Sequence, residues 1–385
     1  MRQATVEKLY IFIIMFFISL IMRIQIPIFT PYAALLGASS IVIGIILSAT
    51  SFSNLLGNLL SGPMVDRFGK KLFITIPLFA SGFIFLAHGI ATDSVDLLIL
   101  HALNGFALAF LIPAAFALLS GYAKNSKQQG KNIAMNGILT TTASIVAPII
   151  GGQLVEVVGY QNAYFIIGVA MLLTALFASR FLTERQEIVS QRNQATVNLA
   201  QLVTSPKLFV IYLVGFAVMY IHGVLIYEIP YLTIEKGYST VTTGQLFSYM
   251  GIGTFITLSL FFINRFDPIK RLIVGLFGMS ASLFILFAMP SVSLPIPLFT
   301  TGLFFGLIMP AMATAITENV SKQAYGKAFG VMSAVYSLGI IASSFITGVV
   351  REIISPYFVA FIVGMVILTI LGHVKLRTPS RVHAM

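Results

Sequence analysis

Cysteine is absent from the 385-residue chain, which excludes a disulfide framework, a thiolate metal site and a cysteine nucleophile. Charge is almost as scarce. Only 9% of the residues are Asp, Glu, Lys or Arg, against roughly 25% in soluble domains, so a soluble globular class is excluded. The motifs that announce common catalytic chemistry are missing too: no Gly-x-x-x-x-Gly-Lys-Ser/Thr phosphate loop, no His-Glu-x-x-His zinc helix and no Gly-x-Ser-x-Gly elbow. Gly251-Ile252-Gly253 lacks the third glycine and the strand of a dinucleotide site. Close helix packing is the role expected for it, as for Gly302 and Gly306. The five histidines (His88, His101, His222, His373, His383) form no cluster in sequence, so neither a metal nor a cofactor is expected.

What is present is hydrophobic residues, 58% of the chain, gathered into runs long enough to cross a bilayer at about twenty residues each. The runs fall near 9–31, 41–63, 72–92, 95–120, 132–156, 160–182, 207–233, 242–264, 270–289, 297–317, 327–350 and 355–374. They predict about twelve transmembrane helices. The first run is too long for a signal-peptide core and lacks a small-residue cleavage site, so it reads as a retained helix. With both termini cytoplasmic, all of the 23 Lys and Arg except Arg23, Lys236 and Arg351 fall on the cytoplasmic side. The positive-inside rule therefore fixes the orientation, in the cytoplasmic membrane. The net charge of +11 is accounted for by this loop bias, and no nucleic-acid partner is expected.

Segment 183–206 is the one long polar connection, rich in Gln, Asn, Glu and Arg. It divides the chain into predicted domains: a bundle at 1–182, a cytoplasmic linker at 183–206, and a second bundle with a cytoplasmic tail at 207–385. A surface helix near 197–203 is weakly signalled. The two parts repeat in order. Gln25-Ile26-Pro27 matches Glu228-Ile229-Pro230, and Gly37 and Gly44 match Gly237 and Gly244. Asp66-Arg67-Phe68 matches Asn264-Arg265-Phe266. Gly105-Phe106 through Pro113-Ala114 matches Gly302-Leu303 through Pro310-Ala311, and Gly130-Lys131 with Gly152 matches Gly326-Lys327 with Gly348. Five ordered matches argue for two parallel six-helix halves.

Between the second and third runs lies Gly62-Pro63-Met64-Val65-Asp66-Arg67-Phe68-Gly69-Lys70-Lys71, a charged turn that cannot sit in hydrocarbon. Its pattern, Gly-x-x-x-Asp-Arg-x-Gly-Lys-Lys, resembles the loop between the second and third helices of the major facilitator superfamily. The resemblance covers nearly the whole chain. It implies an all-α membrane protein with twelve transmembrane helices in two pseudo-symmetric six-helix bundles, the major facilitator fold. It also implies a central cavity lined by the first, fourth, seventh and tenth helices, and a cytoplasmic gate formed by Gly62, Asp66, Arg67 and Lys70. In the fifth helix, Ala143-x-x-x-Ala147-Pro148-x-x-Gly151-Gly152 is similar to the Gly-x-x-x-Gly-Pro-x-x-Gly-Gly motif of the drug:proton antiporter branch, with both leading glycines replaced by alanine. In that branch the motif lets the helix bend and approach its partner, and Pro148, Gly151 and Gly152 carry that implication here. In the fourth helix the branch's Arg-x-x-Gln-Gly reads His101-Ala102-Leu103-Asn104-Gly105. A titrating histidine thus stands where the branch has an always-charged arginine.

The remaining candidates are ionisable or polar residues at membrane depth, each costly there unless paired or wetted. Glu228 lies two residues before Pro230 and beside Tyr220, Tyr227 and Tyr231, a setting that suits binding a cation or a proton. Arg23, one turn before Pro27, either attracts an anionic group of a substrate or holds Glu228 ionised. Gln25 is the repeat equivalent of Glu228. His101 either titrates or is an interior histidine bonded to Asn104, and His222 points away from Glu228. Asn54 and Asn58 form a polar stripe that is either interhelix hydrogen bonding or a wetted wall, and Asn136, Thr140 and Ser144 form another. With no ATP chemistry, uphill work must draw on a gradient. The leading expectation is a monomeric secondary transporter exporting a small organic molecule, such as a drug, an amino-acid-derived metabolite or a metallophore, in exchange for protons. A proton-coupled importer is the alternative. A sensor or a membrane-embedded enzyme is a more distant one, since neither a signalling domain nor a nucleophile cluster is evident.

Overall fold

Proline decides where two of the long apolar runs break. In the computed structural model, which describes residues 2–122, 126–183, 199–321 and 324–377, the first run forms α1 (Arg2–Ile24) and α2 (Ile26–Leu35), divided at Gln25. Pro27 has no N–H to offer the carbonyl four residues back, that of Arg23, so the ladder is interrupted there. α3 (Ser40–Phe68) opens on Ser39, whose Oγ accepts from the Val42 amide at 3.4 Å. It closes at Gly69, whose φ of 103° only glycine adopts readily. After α4 (Leu72–Gly89), the fourth run divides into α5 (Ser94–Leu108) and α6 (Leu111–Gly121). Pro113 denies a donor to the Ala109 carbonyl at that break. Asp93 caps α5 through hydrogen bonds from the Val95 and Asp96 amides, at 2.8 and 2.9 Å.

α7 (Ser126–Phe181) holds the fifth and sixth runs, which meet at Gly159 with φ 78°. The short α8 (Leu199–Thr204) lies in the sequence linker, of which 184–198 are outside the described residues. The second half follows with α9 (Pro206–Lys236) and α10 (Thr240–Ser259), then a 3₁₀ turn at Phe261–Arg265. α11 (Pro268–Ala288), α12 (Pro295–Asn319), α13 (Tyr325–Val350) and α14 (Pro356–Arg377) complete it. Among the described residues ten helical segments are long and apolar enough to cross a membrane. One of them is the Gly159 double span, and α10 is long enough but more polar, with five threonines and a glutamine. Counted so, the twelve expected spans are present.

The chain packs as two compact units. Unit 1 comprises 1–191, 226–251 and 344–349, and unit 2 comprises 192–225, 252–343 and 350–385. These units are drawn differently from the sequence halves, because the last part of α9, most of α10 and the end of α13 pack with the first half. Glycines make that packing close. Gly152 lies against the backbone of Thr240 and Val241, Gly244 against the Pro148 carbonyl, and Gly348 against Ser40 and Gly44. In each case a Cβ would overlap backbone atoms, which do not move aside cheaply.

Duplication is visible in the bonds as well as in the sequence. Asn54 Nδ2 donates to the Gly105 carbonyl at 3.0 Å within unit 1, and Thr254 Oγ1 donates to the Gly302 carbonyl at 3.1 Å within unit 2. Gly105 and Gly302 are repeat partners. Gly37 and Gly237, another matched pair, both have positive φ, 82° and 64°. Unit 2 is held by similar small-residue contacts, with Gly278 against the Phe304 ring and Gly364 against Ser280. Its copy of the charged turn uses Asn264 Oδ1 to accept from Arg271 Nη1 at 2.7 Å.

Candidate functional site

Seven of the candidate polar residues (Arg23, Gln25, His101, Asn104, Tyr227, Glu228 and Tyr231) lie in unit 1. Glu228 is only 5% exposed, in a helix built to cross a bilayer. Holding an ionisable group there costs several kcal/mol unless it is compensated, so its presence needs a chemical reason. Pro230 leaves the Ile226 carbonyl without its helical donor. Tyr227 and Tyr231 stack at 5.8 Å with planes 10° apart, and the Tyr227 hydroxyl donates to the Ser40 carbonyl at 2.6 Å. Tyr220, two helical turns before Tyr227 on α9, falls in unit 2 and packs against Phe216 at 6.1 Å. His222, also in unit 2, stacks on Phe305 at 5.3 Å.

Arg23 is half-buried beside the α1/α2 break. Gln25 follows it with a fully buried Oε1 that has no hydrogen-bond partner. The break thus gathers a guanidinium, an amide oxygen and the bare Arg23 carbonyl on one short stretch.

His101 is buried, and its partner is His88, which sequence reasoning did not single out. His88 Nε2 lies 2.9 Å from His101 Nδ1, and His88 Nδ1 lies 2.8 Å from the Ile84 carbonyl. Phe29 stacks on His101 at 3.9 Å and Tyr164 on His88 at 5.0 Å, while the Tyr32 hydroxyl donates to the His88 carbonyl at 2.8 Å. The bond to Asn104 considered from sequence is absent: Asn104 Oδ1 is buried without a partner. The only sequence signal for His88 was the short connection 90–93, which makes α4 and α5 antiparallel neighbours.

The asparagine stripe on α3 makes one bond to a neighbouring helix and continues along α3 itself. Asn54 reaches the Gly105 carbonyl, Asn58 Nδ2 donates to Asn54 Oδ1 at 2.8 Å, and Ser61 Oγ donates to the Asn58 carbonyl at 2.8 Å. Interhelix bonds of this kind contribute about 0.6 kcal/mol, at most about 1.7. Asn54→Ala is therefore expected to lower unfolding stability by about 1 kcal/mol in a reversible denaturation assay; a loss above about 3 kcal/mol would mean that the stripe does more than tie α3 to α5. On α7, Thr140 and Ser144 bond back to the Gly137 and Thr141 carbonyls, while Asn136 Oδ1 is buried and unpartnered.

Pro148, Gly151 and Gly152 form a close-packed segment of α7. Gly151 abuts the Ile24 carbonyl, while Pro148 and Gly152 meet α10. Beside it is a cavity of about 610 Å³ whose lining includes Pro31, Glu156, Tyr160, Thr233, Tyr238 and Thr240. Glu156 Oε1 accepts there from the Val241 amide at 3.4 Å. At the other end of α3, Gly62 and the Asp66 side chain lie outside the described residues, and the Arg67 guanidinium sits 5.1 Å from the Phe68 ring centroid. Lys70 belongs to the turn that follows Gly69. No group of three His, Asp or Glu placed to hold a metal occurs among the described residues.

The family model described as Major Facilitator Superfamily matches residues 11–344 and 261–382. The chain belongs to this superfamily. As a facilitator it is a multi-pass membrane transporter, and the family and fold are those of a transporter rather than an enzyme. It is 25% identical over 311 residues to the Escherichia coli multidrug resistance protein MdtG, covering 77% of this chain and 74% of that one. An uncharacterized MFS-type transporter of Methanocaldococcus jannaschii is 25% identical over 178 residues, a match spanning 46% of this chain and 45% of the relative. Among solved structures, this facilitator resembles a bacterial homolog of the human lysosomal transporter Spinster, in an inward-facing and occupied conformation. That likeness has a TM-score of 0.78 at 15% identity, over 97% of both chains. The nucleoside transporter NupG gives 0.77 at 13% identity, covering 96% of this chain and 98% of that one. Both likenesses are of fold.

Proposed function

We propose that this facilitator exports a small organic molecule in exchange for protons, by alternating access of one substrate site to the two faces of the cell membrane. The observation that carries the reading is the buried carboxylate of Glu228, set beside a proline-weakened turn and a tyrosine pair. A carboxylate kept at that depth can be neutralised by a proton or by a cationic group of a passenger, and the two then compete for one charge. Arg23, Gln25, Tyr227, Tyr231, His101 and Asn104 supply further polar contacts, which suit an amphipathic drug or an amino-acid-derived metabolite carrying both charge signs. The multidrug name of the MdtG relative and the Pro148-Gly151-Gly152 segment support export over import.

In this reading the chain works as a monomer of two six-helix bundles, 1–182 and 207–385, joined by the 183–206 linker, with both termini cytoplasmic. Gly62, Asp66, Arg67 and Lys70 form a cytoplasmic latch in this reading. The reading is tested by reconstituting the protein in sealed vesicles, screening labelled cationic drugs and amino-acid-derived metabolites, and imposing a pH gradient. Gradient-driven accumulation of at least one compound is expected. Accumulation unaffected by collapsing the gradient would overturn proton coupling.

A further inference from the structure

Two buried histidines in contact fix each other's hydrogens. The Ile84 carbonyl can only accept, so the His88 Nδ1 that lies 2.8 Å from it carries a hydrogen. In a neutral ring His88 Nε2 is then a bare lone pair, and the hydrogen in the 2.9 Å contact comes from His101 Nδ1. It follows that neutral His101 has its free lone pair at Nε2, for which no hydrogen-bond partner occurs among the described residues. One turn along the same helix, Asn104 Oδ1 is a buried acceptor without a partner among the described residues. A neutral pair therefore leaves the His101 Nε2 lone pair open to a proton.

We propose that His88 and His101 form a one-proton binding site in unit 1, separate from Glu228. The site deepens the proton-coupled reading above and rests on it. A proton arriving at His101 Nε2 makes the ring an imidazolium. The proton at His101 Nδ1 can then pass to His88 Nε2, which leaves His101 neutral with its hydrogen at Nε2 and His88 cationic. One proton enters and one charge is gained, shared along the chain from His101 to the Ile84 carbonyl. His88 is the positioning residue, because its bond to Ile84 sets the tautomer of His101.

The groups in contact with the two rings are Phe29 of α2 and Phe85 and Tyr164 of the flanking helices, while the Tyr32 hydroxyl of α2 donates to the His88 backbone carbonyl. Among the described residues no carboxylate, lysine or arginine touches either ring. Asp93 and Asp96 belong to the start of α5, where they bond to backbone amides and to Thr92. No counter-ion therefore neutralises the imidazolium, and burying it is costly. The added charge is tolerated when water reaches His101 and disfavoured when the site is dry, which ties its protonation to conformation.

The direct test is nitrogen NMR of the full-length protein, labelled with [15N]histidine, in lipid nanodiscs over about pH 4 to 9, the range in which histidines titrate. Expected are a scalar coupling between His101 Nδ1 and His88 Nε2, a His88 ring protonated at Nδ1, and a single shared imidazolium on acidification. Independent titration of the two rings, or no proton uptake by either, overturns the site. In transport assays His88→Gln keeps an acceptor and a donor in reach. It is expected to shift the pH profile of exchange without lowering the unfolding temperature by more than a few degrees. An unchanged pH profile in this folded variant means that the pair is only structural. The NMR result does not depend on transport, so loss of gradient-driven accumulation in the wild type would sink the exchange reading while the NMR still decides the site.

Discussion

Glu228→Gln is expected to reduce gradient-driven accumulation to the level of protein-free vesicles, while exchange of passenger down its own gradient continues. The side chains have nearly the same shape, so the helix and the Tyr227–Tyr231 stack need not move. What is lost is the capacity to alternate between a charged and a neutral form, on which competition between proton and passenger depends. The variant is expected to reach the membrane and purify folded, which keeps the transport readout interpretable. A folded Glu228→Gln protein that still accumulates its passenger on a pH gradient would exclude Glu228 as the coupling carboxylate.

Gly152→Leu is expected to have the largest effect on packing. A Cβ at that position overlaps backbone atoms of Thr240 and Val241, and backbone cannot rotate away as a side chain can. Overpacking typically costs about 1–3 kcal/mol and occasionally more. Here the strain is relieved by separating α10 from α7. Because the chain has no cysteine, Thr243→Cys provides a clean reporter: Thr243 is fully buried in α10 and should label slowly with a membrane-impermeant thiol reagent. Adding Gly152→Leu is expected to speed that labelling at least about tenfold, which corresponds to a shift of about 1.4 kcal/mol in the opening equilibrium. Unchanged labelling would show that the glycine contact does not hold these helices together.

Much of the architecture was legible because the bilayer imposes a length on every span, and apolar runs of that length are hard to mistake. The exceptions have local causes. Pro27 and Pro113 break their runs, whereas Pro77, Pro148, Pro230 and Pro310 sit inside continuous helices. Sequence alone does not say which prolines a helix will absorb, since that depends on what neighbouring helices offer the freed carbonyls. α10 is the least apolar span because its Thr240, Thr243 and Ser248 are buried against protein rather than lipid.

The candidate site was legible residue by residue but not as a constellation. Glu228 and His101 stand out because charge and imidazole are rare at membrane depth. Their partners are set by tertiary packing that no spacing rule contains. Asn54 could have lined water or bonded a helix, and the Gly105 carbonyl decided it. His88 looked unremarkable near the end of its helix until α5 brought His101 to 2.9 Å. The compact units show the same limit. The repeat marks where the halves begin, while Gly152, Gly244 and Gly348 determine which segments of the second half pack with the first.

The central claim is that passenger and proton move in opposite directions through one protein. It is tested most directly by loading sealed proteoliposomes with a pH-sensitive dye, adding passenger to one side without an imposed gradient, and recording both fluxes. The account predicts that passenger entry drives protons out, in a fixed ratio that disappears in Glu228→Gln. Passenger entry without proton movement, or with protons travelling in the same direction, would contradict it.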